Sequence, residues 1–128
     1  MNKLIIDAAN EKIFLMIITN ASIYNITHEN TKINYEKLTI IINDFLLSKN
    51  LKIADIGVIY INIGLGSFAG IRNSMSVVKA FNVAKNIDYY CYNLHDFKDE
   101  KDLSYESIPN LCKKYKIKKN LINPIYIS

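Results

Sequence analysis

The run Ile13-Phe14-Leu15-Met16-Ile17-Ile18 constrains this chain more than any other feature, because its apolar residues follow one another without polar alternation. A strand with one wet face alternates polar and apolar side chains, so a continuous run belongs to a central strand covered on both pleat faces. It is far too short to cross a bilayer, and no other apolar stretch approaches that length. At 128 residues, 50% of them hydrophobic and 22% charged, the chain has material for one single-core domain and not for two. With Pro at 2 and Gly at 4, and no long tract poor in apolar residues, a disordered chain is excluded.

Runs at residues 4–6 and 22–27 flank the central one at residues 12–19. All are β-branched or aromatic and are separated by turn-compatible Ala-Asn-Glu and Asn-Ala, which predicts a three-stranded antiparallel meander. Over residues 35–50 the period changes. Leu38, Ile41, Ile42, Phe45 and Leu46 recur at helical spacing, with Asn34 in the N-cap position and Lys37 where a capping box would place Glu. A second apolar line, Ile33, Ile40, Leu47 and Leu51, falls on nearly the opposite side. A helix apolar on two faces is either sandwiched within its own protein or docked on a partner.

Residues 56–63 read as a buried strand interrupted only by Gly57 and Asn62. The Gly64-Leu65-Gly66-Ser67 turn and a helix over residues 68–85 follow. On that helix Phe68, Ile71, Met75 and Val78 share one face; Ala69, Gly70, Val77, Ala80, Phe81 and Ala84 share another, whose small residues admit close helix packing. Residues 87–94 form a fifth strand, which completes β-β-β-α-β-α-β. Beyond it come a charged connector at residues 96–102, a short helix around Pro109 within residues 105–115, and a last short strand at Ile125-Tyr126-Ile127. The expected division is residues 1–95 as the domain and residues 96–128 as a connector and basic tail.

The net charge of +4 is a weak field for a nucleic-acid protein, although Lys113, Lys114, Lys116, Lys118 and Lys119 are bunched near the end. They read as a solvated tail or as an arm for RNA or an acidic partner, and the abundance of Asn, Ile, Lys and Tyr throughout weakens Lys as a signal. Cys91 and Cys112 lack metal-ligand spacing and read as reduced thiols. Without a signal-peptide core at the start, a cytoplasmic protein is expected. His28 and His95 form no ligand pair, so no metal site is expected.

The glycine turn before a helix could cradle an anion, with Ser67 adding a hydroxyl, or serve only as a tight turn in which Ser67 caps the helix. It is neither a Walker A loop nor a full dinucleotide fingerprint, and Ser67 has no partners for a nucleophilic role. Asp7 closes the first strand, where a carboxylate could hold a metal or orient water. The Ala8-Ala9-Asn10 that follows offers phosphate neither a glycine nor a hydroxyl, so nucleotide hydrolysis is not expected.

The decamer Ile63-Gly64-Leu65-Gly66-Ser67-Phe68-Ala69-Gly70-Ile71-Arg72 resembles the signature Gly-Pro-Gly-Ser-Phe-Thr-Gly-Leu-Arg of the bacterial TsaB (YeaZ) family. Gly64, Gly66, Ser67, Phe68, Gly70 and Arg72 match; Leu65 stands for the Pro and Ala69 for the Thr. Leu4-Ile5-Ile6-Asp7-Ala8-Ala9 is similar to the family's opening, and Pro124-Ile125-Tyr126-Ile127 to its closing segment. The resemblance covers residues 1–94 and the last few, without room for the family's second domain. It implies a single ribonuclease H-like, actin-like (ASKHA) α/β domain with a five-stranded mixed sheet.

In function it implies a non-catalytic scaffold in making threonylcarbamoyladenosine (t6A) on tRNA, without a cofactor of its own. The family pairs with a catalytic TsaD-type paralogue through helices, and a TsaE-like ATPase joins the pair. The expected partner-binding residues are Ile33, Ile40 and Leu47 on the first helix and Gly70, Arg72, Val77, Phe81 and Ala84 on the second. Arg72 either pairs across that interface or bridges helix to strand. A homodimer through the same helices, a minimal actin-like nucleotide-binding enzyme built on Asp7 and the glycine turn, and tRNA contact through the lysine run are the alternatives.

Overall fold

A computed structural model of the chain describes residues 1–64, 66 and 68–121. The strand expected at Ile125-Tyr126-Ile127 and the capping Ser67 lie outside the described residues, as does Leu65. Five strands build one mixed sheet in the order β3-β2-β1-β4-β5: β1 (Asn2–Asp7), β2 (Lys12–Ile18), β3 (Ile23–Glu29), β4 (Ile56–Asn62) and β5 (Asp88–Tyr92). The first three form the expected antiparallel meander, while β4 and β5 run parallel to β1. Parallel pairing needs a crossover. Helices α1 (Lys32–Glu36) and α2 (Leu38–Ser48) supply the first, and α3 (Phe68–Lys85) supplies the second.

The expected single helix over residues 35–50 starts earlier and is broken. Thr31, not Asn34, is the N-cap: its backbone is extended and its hydroxyl accepts a hydrogen bond from the Asn34 amide at 3.3 Å. Asn34 instead donates its side-chain amide to the Glu29 carbonyl at 2.8 Å, tying the helix start to the end of β3. The break falls at Lys37 (φ −100°, ψ 19°). At the far end Asn50 is left-handed (φ 59°), and the Asn50 and Leu51 amides return to the Leu47 and Leu46 carbonyls at 3.0 and 2.9 Å. That is a Schellman stop.

The pleat divides the core in two. Ile13, Leu15 and Ile17 of β2, with Leu4 and Ile6 of β1, join Leu38, Ile42, Phe45 and Leu46 of α2 and Ile71, Val78 and Phe81 of α3. The other face presents Ile5, Met16, Val58, Tyr60 and Tyr92, which pack on Phe97, Ile108, Leu111 and Cys112. Both faces of β2 are thus covered, as its sequence requires. The cover on the rear face comes from the stretch expected as a connector and tail. Its described part is a packed layer of 3-10 turns at Leu94–Phe97 and Tyr105–Ser107 and the helix α4 (Ile108–Lys114), with Pro109 in the first turn. Phe97, Leu111 and Cys112 are apolar side chains that a solvated tail would leave in water, and their burial docks the segment.

Candidate functional site

The parallel strands β1, β4 and β5 end at one edge of the sheet, and each finishes on or beside a buried polar residue: Asp7 is 1% exposed, Asn62 3% and Asn93 4%. Such edges are where open α/β sheets gather their functional groups. Asp7 Oδ1 accepts from the Ala9 amide at 3.0 Å, and Oδ2 accepts from Asn62 Nδ2 at 3.1 Å and from the Tyr105 hydroxyl at 2.8 Å. Asn62 Oδ1 in turn accepts from the Gly64 amide at 2.9 Å. One carboxylate therefore joins the end of β1, the end of β4 and the rear layer.

Burial, followed by the negative charge of Asp7 and the hydrogen bond to it, pushes the Tyr105 phenol far above its ordinary value, so it acts as a donor. The Tyr92 phenol, buried beside the same carboxylate, is also held well above its ordinary value. Tyr105 stacks on Phe14 with ring centroids 3.9 Å apart, and both line an open cleft of about 720 Å3 with Ala9, Asn10 and Asn30. Tyr105, Tyr92 and Asn93 were not among the expected site residues. Asn62 was visible only as the polar break in an apolar strand.

The glycine turn presses on this cluster. Gly66 has φ +154°, and a Cβ there would stand 2.0 Å from the Ala9 carbonyl oxygen; a Cβ on Gly64 would stand 2.4 Å from Asn93 Cβ. Both positions require glycine for close backbone approach. Among the described residues no group of three or more His, Cys, Asp or Glu side chains is placed to hold a metal. Among the same residues no helix is long and apolar enough to cross a membrane.

The expected partner-binding residues fall into two groups. Ile33 is 66% exposed, and Ile40 and Leu47 are each 58% exposed, on the side of α1 and α2 turned from the core. Arg72 and Ala84 are exposed on α3, whereas Val77 is half-buried and Gly70 buried. Phe81, expected beside them on a free face, is 9% exposed and packs in the helix-side core with Ile71 and Val78. The outward apolar residue on α3 that the sequence reading missed is Val83, 84% exposed. Leu51 is drawn back against the core by the Schellman turn. Lys113, Lys114, Lys116, Lys118 and Lys119 are all exposed; Lys114 pairs with Glu100 at 2.8 Å and Lys119 with Asp88 at 3.6 Å.

No protein-family model matches the chain, and no curated protein is significantly similar to it in sequence. Among solved structures it is similar to YeaZ from Pseudomonas aeruginosa, with a TM-score of 0.66 and 16% identity, over 72% of this chain and 43% of that one. A second P. aeruginosa structure, described as an uncharacterized protein with similarity to peptidase YEAZ, gives the same values. RuvC from Thermus thermophilus, in complex with a Holliday junction substrate, aligns at a TM-score of 0.55 and 9% identity over 99% of this chain and 86% of that one. The fold is thus ribonuclease H-like, as the resemblance implied. The chain spans less than half the length of the YeaZ chain.

Proposed function

We propose that this chain is a shortened relative of TsaB that acts as a non-catalytic partner subunit, docking a TsaD-type threonylcarbamoyltransferase on its helix layer in the t6A modification of tRNA. The observation that carries the reading is the exposure of Ile33, Ile40 and Leu47, at 66%, 58% and 58%, on the side of α1 and α2 turned from the core in which Leu38, Ile42, Phe45 and Leu46 of α2 are buried. Covering a fully exposed Leu or Ile contributes about 1.5–3 kcal/mol when burial is complete, so these three side chains supply the apolar centre of the proposed contact and not the whole of it. The fold shared with YeaZ and the decamer at the strand-to-helix turn support the same reading. A TsaE-like ATPase joining that pair belongs to the proposal.

A role in nucleotide hydrolysis finds less support. The oxygens of Asp7 already accept hydrogen bonds from the Ala9 amide, Asn62 and Tyr105, so this carboxylate braces the sheet edge. Co-expression with the TsaD-like protein of the same genome, followed by size-exclusion chromatography with light scattering, tests the proposal. A heterodimer lost on Leu47→Asp is the expected outcome. A chain that runs alone or pairs only with itself, with no TsaD-like protein in its peak, overturns it.

A further inference from the structure

The far end of the rear face holds a feature that the partner reading leaves unused. Along one register row Ile5 pairs with Tyr60 and Tyr60 with Tyr90, which places the two tyrosines side by side on β4 and β5; their rings stack with centroids 5.3 Å apart. Tyr60 is the buried member, and Tyr90 remains half-exposed. α4 and the turn after it run beside this stack and form a cleft of about 540 Å3 lined by Lys3, Lys113 and Lys116 with Tyr60, Tyr90 and Asn110 among others. Among the described residues no acidic side chain lines it. Lys114 and Lys119 are held by Glu100 and Asp88, so the cleft draws its charge from other lysines of the basic run, joined by one from β1, more than a hundred residues earlier.

We propose that this cleft binds a single strand of nucleic acid, with a base stacking on the Tyr90 ring and neighbouring phosphates on Lys3, Lys113 and Lys116. Aromatic rings on a sheet face accept any base by its π-face, and flanking lysines follow the backbone. A duplex offers no unstacked base to the ring. The chemistry shared by a strand and a free mononucleotide is one base with its phosphate; the spread of charge over β1, α4 and the turn after it favours the strand, which supplies more than one phosphate.

The test is fluorescence anisotropy of the full chain with a labelled uridine dodecamer. With three lysine–phosphate contacts on a single strand, affinity falls by about 20-fold when salt rises fourfold. Lys113→Glu combined with Lys116→Glu, both at exposed positions, weakens binding by tenfold or more and flattens the salt dependence, while Lys79→Glu on α3, across the sheet, leaves it within about twofold. Tyr90→Ala costs about tenfold, and Tyr90→Phe restores binding. Equal losses from the Lys79 and Lys113/Lys116 variants, or competition by polyglutamate as effective as by the unlabelled strand, overturn the proposal. UMP binding as tightly as the dodecamer overturns the strand in favour of a free nucleotide. Because the light-scattering experiment reads the helix layer and this one the rear face, either proposal can fail without the other.

Discussion

At the scale of single residues, Asp7 and Gly66 do the joining. Asp7→Ala leaves the Ala9 amide, Asn62 Nδ2 and the Tyr105 hydroxyl without their acceptor in a buried site. An expected loss of about 3 kcal/mol or more, read as a shift of the urea midpoint at unchanged slope, follows from those unpaired donors. Gly66→Ala forces a Cβ to within 2.0 Å of a backbone oxygen at positive φ, and neither partner is a flexible side-chain end. Its expected cost of about 2 kcal/mol or more is checked by thermal melting against Gly57→Ala, where only the Met1 side chain has to move. Part of this was legible: Asp7 closes its strand, Gly66 sits in a conspicuous turn, and Asn62 interrupts an apolar run. Tyr105 was not, because it reaches Asp7 from 98 residues away and no local pattern records that contact.

Among the elements, periodicity located each strand and the long helices, and erred where side chains did the deciding. Thr31 and Asn34 are both good caps, and the amide of Asn34 was claimed by the Glu29 carbonyl, which left the cap to Thr31. On α3, grouping Phe81 with the small residues placed it on a free face. At 100° per residue it lies only about 60° round the helix from Val78, within the arc that meets the sheet. The two helices therefore respond differently to the same change. Leu47→Asp, at a position 58% exposed, keeps the native circular dichroism spectrum and a melting temperature within a few degrees of the parent. Phe81→Asp buries a charge in the helix-side core and abolishes the cooperative transition. A Phe81→Asp chain that melts like the parent means that α3 does not pack as described.

For the whole molecule, the second core was the part least visible in sequence, since Phe97, Ile108, Leu111 and Cys112 lie scattered among lysines and turns. Its chemistry gives it a pH limit. Burial raises the Cys112 thiol of this core, like the Cys91 thiol of the helix-side core, from 9.0 to about 12 and the Tyr60 phenol from 10.0 to about 12. The unfolded chain releases these protons first as pH rises, so stability holds below pH 9 and falls between pH 9 and 12. Urea midpoints at successive pH values check this, and a midpoint flat up to pH 12 refutes it. The rear layer also orders events during synthesis. During synthesis β5 is complete at Tyr92 while Ile5, Met16, Val58 and Tyr60 are still bare, and their cover, Phe97, Ile108, Leu111 and Cys112, is made only afterwards. Until then a nascent chain carries an adhesive sheet, which puts the hazard of aggregation in the interval before α4 is made.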